Sequence, residues 1–477
     1  MANGLRGGPI GDEEGQSVDT APKAIGDAET FAAVGGLSEI DHRTQLRRAV
    51  IASAIGTTIE WYDFVLYGMV TGLVFAKLYF PQSDPLTGTL QSYAVFFVGF
   101  VARPVGAFIF GHFGDRIGRK RALIATLLLT GVATFVVALV PSYEHIGIWG
   151  AIILVLLRFI QGIGVGGEWG GAVLLSMEWA QTNSNRGFVA SWPQFGAPFG
   201  IALATAALLF FSWLSGDQFL IWGWRIPFLL SIILVGVGLY IRLGISETPV
   251  FARVLAEGRR ERAPSIEVIR RQPKEIILTA FARMAEQAPG YIYNTYIFTY
   301  GAAVLGASRN FLLVGVMAMS VLGFFWLPVA GHLSDRIGRK RLYIIAAAIS
   351  GIFGFVYFAM LDTRAPAWVF VAIVLSILPI VTLYGPQAAL IAESFSPRFR
   401  YSGAGLGYQL AAIVAGGPAP FIATALYATY HSGYAIAFYI LGCGVISMAA
   451  TALLKDHTNK DIAEEYDKAP VVTLAAA

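Results

Sequence analysis

The chain has 477 residues, 56% of them hydrophobic and only 13% charged, with a mean hydropathy of +0.63. A soluble domain carries roughly 25% charged residues, so this composition excludes an ordinary soluble enzyme and predicts a membrane protein of many spans. The formal charge of +4 is small and concentrated in loops, which predicts no nucleic-acid partner. The single cysteine, Cys443, excludes an internal disulfide and a cysteine metal site, and no metal or cofactor is expected.

Residues 1–48 are rich in Gly and Ala, acidic, and hold no apolar run of signal length; they predict a disordered tail. A bilayer core of about 30 Å needs roughly 20 helical residues. Runs of that kind lie at 49–75, 90–111, 122–140, 148–179, 187–212 and 224–243, forming an N-terminal half over 49–243. A basic, mixed-charge stretch at 244–274 predicts a short amphipathic linker with no catalysis. The second half, 275–454, repeats the pattern at 275–303, 311–331, 342–361, 367–393, 401–427 and 432–454, and 455–477 is a second tail. The expected fold is therefore an all-α membrane protein of twelve transmembrane helices in two six-helix halves.

Loop charge sets orientation. Basic residues crowd the loop after span two (Arg116, Arg119, Lys120, Arg121), the linker, the loop after span eight (Arg336, Arg339, Lys340, Arg341) and the start of span eleven (Arg398, Arg400), while the opposite loops hold Lys77, Arg309 and Arg364. Both termini are expected to be cytoplasmic, in a cell inner membrane. The chain also repeats itself. Gly111-His-Phe-Gly-Asp-Arg-Ile-Gly-Arg-Lys-Arg121 returns 220 residues later as Gly331-His-Leu-Ser-Asp-Arg-Ile-Gly-Arg-Lys-Arg341, with nine of eleven positions identical. Two similar halves joined in one membrane chain are the pattern of a secondary transporter.

A charge at the bilayer centre costs at least about 2.5–3.5 kcal/mol, so charges inside spans need a partner, a wet cavity or a function. At 1.5 Å per residue, Glu60 and Asp63 of span one, Arg158 of span four, and Arg283 and Glu286 of span seven fall roughly 12–21 Å into the membrane, a common depth. Glu60 and Asp63 share a helix face at i, i+3, and so do Arg283 and Glu286. A carboxylate able to take a proton suits Asp63 or Glu60 to proton coupling, whereas arginine stays charged and can grip a substrate carboxylate through two parallel hydrogen bonds. Arg158, Arg283, Glu286, Gln161 and Tyr293 are the expected substrate-binding residues. The plainer alternative is that Arg158 and Arg283 only pair with these acids to hold helices together. Gly162-Ile-Gly-Val-Gly-Gly167 satisfies G-x-G-x-x-G, but it sits inside an apolar helix with no preceding strand, where small residues predict close helix contact and not a dinucleotide site.

The repeated loop resembles the signature of the major facilitator superfamily. Glu60-Trp-Tyr-Asp-Phe64, Arg158-Phe-Ile-Gln-Gly162, Gly166-Gly-Glu-Trp-Gly-Gly171, Trp222-Gly-Trp-Arg-Ile-Pro-Phe228 and Arg400-Tyr-Ser-Gly-Ala-Gly-Leu-Gly-Tyr-Gln409 are similar to its metabolite:proton symporter branch, and the likeness covers about residues 45–455. The resemblance implies alternating access by a monomer whose partners are a small-molecule substrate, protons and the lipid bilayer. Members of the branch carry shikimate, 2-oxoglutarate, dicarboxylates, citrate or zwitterionic osmolytes. It also implies a conformational latch in which Asp115 meets the start of span eleven at Arg400, and Asp335 the start of span five at Arg186. Arg119 and Arg339 lie beside those acids, and Glu178 and Glu393 at the ends of spans four and ten. The leading expectation is uptake of a small organic acid with protons. Alternatives are a proline or betaine permease, disfavoured by the absence of a long heptad tail, and a non-transporting membrane sensor.

Overall fold

The computed structural model describes residues 39–179, 191–244, 264–396 and 400–457. Most of those residues are helical, with no strand among them. Eleven helices are long and apolar enough to cross a bilayer: α1 Val50–Tyr79, α2 Pro85–Gly114, α3 Arg119–Val137, α4 Trp149–Val173, α5 Ser191–Leu220, α6 Arg225–Leu243, α8 Arg309–Ile337, α9 Arg339–Asp362, α10 Pro366–Ala392, α11 Arg400–Tyr430 and α12 Gly433–Leu453. The remaining passage, α7, is built from pieces: Pro273–Ala282, Met284–Tyr291, a π-helical turn Ile292–Tyr296, and Ile297–Ala303. Twelve passages in two groups of six result, the architecture expected from the apolar runs.

Two boundaries differ from expectation. The first helix begins at Glu39, inside the stretch expected to be disordered. The linker carries a helix of its own, Pro264–Arg271. Its buried Ser265 donates to Phe108 O at 2.9 Å and lies 3.2 Å from the Ser402 hydroxyl, so the linker touches both halves. Residues 1–38, 245–263 and 458–477, which include the rest of the linker and tail expectations, lie outside the described residues.

The internal repeat is written into the backbone. Each basic loop turns on a glycine with positive φ, Gly118 at 111° and Gly338 at 97°, a conformation a side chain rarely adopts. Lys120 then donates to Leu243 O at the end of α6 (2.9 Å), and Lys340 to Leu454 O at the end of α12 (2.8 Å). These ammonium groups cap C-terminal carbonyls that have no helical partner. A π-turn at Thr71–Phe75 in α1 has its counterpart at Ile292–Tyr296 in α7. On the far side, Asp84 caps α2 by accepting from the amides of Leu86 and Thr87, both at 3.1 Å. The Thr87 side chain and these amides hold the Asp84 carboxyl below the usual carboxylate range.

The glycines of the G-x-G-x-x-G stretch allow α2 and α4 to touch backbone to backbone. A Cβ at Gly162 would stand 2.2 Å from Gly99 O, and one at Gly166 would stand 2.0 Å from Arg103 O. The close approach draws the arginines of these two helices, Arg103 and Arg158, around one aromatic cluster.

Candidate functional site

The two halves meet around a cavity of about 30 Å³, room for about two waters. Its wall comes from α1 (Trp61, Val65), α5 (Ala197, Pro198, Ile201), α7 (Glu286, Gln287, Tyr291, Asn294) and α10 (Ile377, Ile380, Tyr384). Contacts between the halves close it on both sides. Toward the basic loops, Gln194 Nε2 donates to Tyr384 O (2.9 Å), Trp169 stacks on Tyr408 at 3.7 Å, and Tyr401 donates to Gly167 O (2.6 Å). A Cβ at Gly114 would lie 2.4 Å from the Tyr401 ring, so α2 and α11 are in full contact there. On the opposite side Tyr93 and Thr299 hydroxyls meet at 2.7 Å, and Arg309 lies 4.3 Å over Phe219.

Every charged residue expected at substrate depth is buried, but they fall into two unlike clusters. In the N-terminal half the charges are under-partnered. Arg158 stands 4.1, 4.3 and 4.7 Å over Phe64, Tyr67 and Phe96. Its Nε donates to Phe96 O (3.4 Å) and Nη1 to Gln161 Oε1 (3.3 Å), while Nη2 has no hydrogen-bond partner. Gln161 in turn donates to Thr134 Oγ1 of α3 (2.8 Å), so it orients Arg158 and does not face the cavity. Asp63 lies in the field of Arg158, yet neither of its buried oxygens has a hydrogen-bond partner. The Thr134 hydroxyl beside it directs its proton to Thr130 O at 2.9 Å. Glu60 lies in the field of a different arginine, Arg103, and more weakly in the fields of Glu168 and of Arg283 across the interface. The two carboxylates thus share a helix, each in the field of its own guanidinium.

The C-terminal cluster is saturated. Arg283 donates to Gln387 Oε1 (3.1 Å), to Tyr408 O, and to Glu286 Oε2 (3.0 Å) and stacks 3.2 Å over the Tyr408 ring. Gln287 donates to both Glu286 oxygens at 2.9 Å, and Gln387 donates to the Tyr343 hydroxyl at 2.8 Å. For Arg283 the plainer expectation, a helix-holding pair, describes the geometry. Of the five charged residues expected at substrate depth, Glu286 lines the cavity wall, and Glu60, Asp63, Arg158 and Arg283 lie behind it. Tyr293 corrects the sequence reading: its ring packs 4.4 Å from Tyr357 of α9 and does not line the cavity. The π-turn Ile292–Tyr296 inserts an extra residue into the helical period, so the spacing of Tyr293, Tyr296 and Tyr300 no longer defines one continuous face. Tyr291 takes the cavity position and packs on Phe64, Phe96 and Phe100 across the interface.

Latch residues are described in part. Arg186 lies outside the described residues, as do the side chains of Asp115 and Glu178. Asp335 accepts from Arg339 at 3.2 Å, and buried Arg339 pairs also with Glu393 at the end of α10. That chain of three lies within the C-terminal half. Arg119, also buried, donates to Gly114 O (3.0 Å), and Arg400 Nε donates to Ala392 O and Phe395 O (2.9 and 3.1 Å), capping α10.

Two charged sites were missed from the sequence. Arg103 of α2 lies 4.0 Å over Phe64 and 4.9 Å over Phe100, and its buried Nε has no hydrogen-bond partner. A charge in the middle of span two, just before Pro104, was the available signal. Arg242 in the last turn of α6 pairs with Glu168 of α4 and donates to Leu123 O, and Thr126 donates to the other Glu168 oxygen at 2.7 Å. Gly56 of α1 passes directly over this pair, where any side chain would collide with Arg242.

Comparison with known proteins places these observations in a lineage. The profile described as Major Facilitator Superfamily matches residues 54–420 and 328–475. The shikimate transporter of Escherichia coli K12 is 41% identical over 87% of this chain and 95% of that protein. The inner membrane metabolite transport protein YhjE of the same strain is 39% identical over 87% and 95%. The glycine betaine/proline/ectoine/pipecolic acid transporter OusA of Dickeya dadantii is 31% identical over 88% and 85%. In fold, the chain superposes on the proton:xylose symporter XylE bound to 6-bromo-6-deoxy-D-glucose with a TM-score of 0.71 at 19% identity, covering 89% of this chain and 98% of that one. Twelve helical passages, a repeated basic turn, a cavity between two halves and these relatives agree: the chain belongs to the Major Facilitator Superfamily.

Proposed function

We propose that the chain is a secondary-active symporter that imports a small organic acid with protons by alternating access, with both termini cytoplasmic in a cell inner membrane. The observation that carries this reading is the under-partnered state of Asp63 and Arg158, opposite charges buried side by side without an ion pair within 4 Å. A buried charge without a counter-charge is costly. Protonation of Asp63 would remove the charge that balances Arg158, and a substrate carboxylate would then replace it. Proton and anion binding are coupled by that exchange, because each is favoured only when the other has occurred. The 41% identity to a shikimate transporter supports an organic acid as cargo. An osmolyte cargo is less well supported, since the Phe64 ring that could face a quaternary ammonium is already covered by Arg103 and Arg158 at 4.0 and 4.1 Å.

Arg158→Lys tests the substrate class. Lysine keeps the charge and loses the planar fork. Charge-assisted hydrogen bonds contribute about 1.5–3 kcal/mol, so affinity for a carboxylate should fall roughly tenfold to a hundredfold. Competition against labelled uptake in proteoliposomes reads this directly. Tight binding of a neutral sugar, with no carboxylate competing, contradicts the assignment.

The latch reading makes a separate expectation. Asp335→Asn removes one acceptor from Arg339 and leaves its pair with Glu393. The change should shift the balance of open forms by about 1–2 kcal/mol, a roughly fivefold to thirtyfold change in their ratio, with little effect on the binding chemistry itself. Labelling of a cysteine introduced on the basic-loop side, in a Cys443→Ser background, should rise. Unchanged labelling with lost substrate binding contradicts a latch.

A further inference from the structure

A second cavity lies on the outside of the helix bundle. It is a crevice of about 360 Å³ between α1, α5, α6 and α8, with Ile55, Phe199, Leu203, Val237 and Phe324 in its walls. Phe199 and Val237 are 50% and 47% exposed, so the crevice opens to the surface that the bilayer covers. Its one hydroxyl, Thr58, donates to Ala54 O at 2.8 Å and offers no free donor hydrogen. Nothing polar is left to receive a solute or to hold water, whereas a hydrocarbon chain matches the lining throughout.

The crevice sits in one leaflet. Its α1 residues begin a few residues inside the basic-loop end of that helix, and its α6 residues lie within the last ten or so before Leu243. About two turns before Ile55 on the same helix stand Arg47 and Arg48, both exposed. Positions 48, 51 and 55 follow i, i+3, i+7 and form one stripe, and Ile51 between them is exposed. From Arg48 to Ile55 the helix rises about 10 Å, the distance from phosphate level into the acyl region.

We propose that this crevice is a binding site for an anionic phospholipid of the leaflet on the basic-loop side, with the headgroup held by Arg47 and Arg48 and one acyl chain lying between α5 and α8. Charge complementarity selects the headgroup, since basic residues at a membrane surface attract anionic lipid. The location gives the site a consequence. Phe195 of α5 and Phe324 of α8 meet at 3.9 Å on the crevice wall, and these helices belong to opposite halves. A chain seated there lies along a seam that must part when the halves rock open toward the basic loops.

The test uses the full chain purified in detergent and titrated with dioleoyl phosphatidylglycerol or dioleoyl phosphatidylcholine, with bound lipid counted by native mass spectrometry. The native chain should retain phosphatidylglycerol more tightly. Arg47→Gln with Arg48→Gln should weaken that lipid about thirtyfold, near fivefold per arginine, and leave phosphatidylcholine unchanged, which also serves as the check on folding. Val237→Trp, on the exposed rim, should fill the crevice and weaken both lipids; Leu203→Phe provides a second filling variant. Equal retention of the two lipids by the native chain overturns the proposal. So does native-like phosphatidylglycerol binding by the arginine double variant or by both filling variants.

Discussion

Asp63→Asn abolishes accumulation of substrate driven by a proton gradient, while exchange of labelled for unlabelled substrate across the membrane persists. Asparagine is close to isosteric and cannot bind the transported proton, so it fixes the site in a form resembling the protonated one. Both Asp63 oxygens are buried without hydrogen-bond partners, so the substitution breaks no bond that holds the fold. The expected drop in gradient-driven uptake is to background, the largest functional effect in the molecule. Glu60→Gln provides the contrast. Glu60 lies in the field of Arg103 and, more weakly, of Arg283 in the other half, so its neutralisation should alter exchange as well as accumulation. Normal accumulation by both variants under the same gradient removes proton coupling from this pair of residues.

Glu168→Ala should be the most damaging single change for stability. It leaves Arg242, 3% exposed, without its counter-charge, in contact with Leu123 O and under Gly56. Removing one partner of a buried ion pair costs about 3–5 kcal/mol. The double change Glu168→Leu with Arg242→Met removes both charges and should recover most of the loss, since apolar replacement of a whole pair is often neutral. Thermal unfolding in detergent, followed by tryptophan fluorescence, separates the cases. A Glu168→Ala variant that unfolds with the native chain would mean that the pair contributes no net stability.

These two cases also mark what a single sequence can reveal. Helix number follows from the apolar runs, because a bilayer of fixed thickness demands spans of fixed length. The two-half organisation was equally legible, since Gly118 and Gly338 recur at identical places in a turn that needs positive φ. That the in-span charges turn inward was legible too: Glu60, Asp63, Arg158, Arg283 and Glu286 are all buried. Partner choice was not. The last turn of α6 brings Arg242 to Glu168 of α4, a pairing that no spacing along either helix encodes. The place of Tyr293 was not legible either, because the π-turn in α7 resets the helical face. Arg103 was visible as a charge within span two, and its role emerged only once Gly166 had brought α4 against its backbone.

The central claim is that anion entry and proton entry are one event. Purified protein in liposomes loaded with a pH-sensitive dye, with no imposed gradient and the membrane potential clamped, tests it directly. Adding a transported organic acid outside, with shikimate the first one tried, should acidify the lumen at a rate that saturates with its concentration and vanishes in Asp63→Asn. A panel of dicarboxylates and proline, run in the same assay, identifies the cargo. Saturable uptake of any of these labelled compounds with no change in luminal pH would contradict the account.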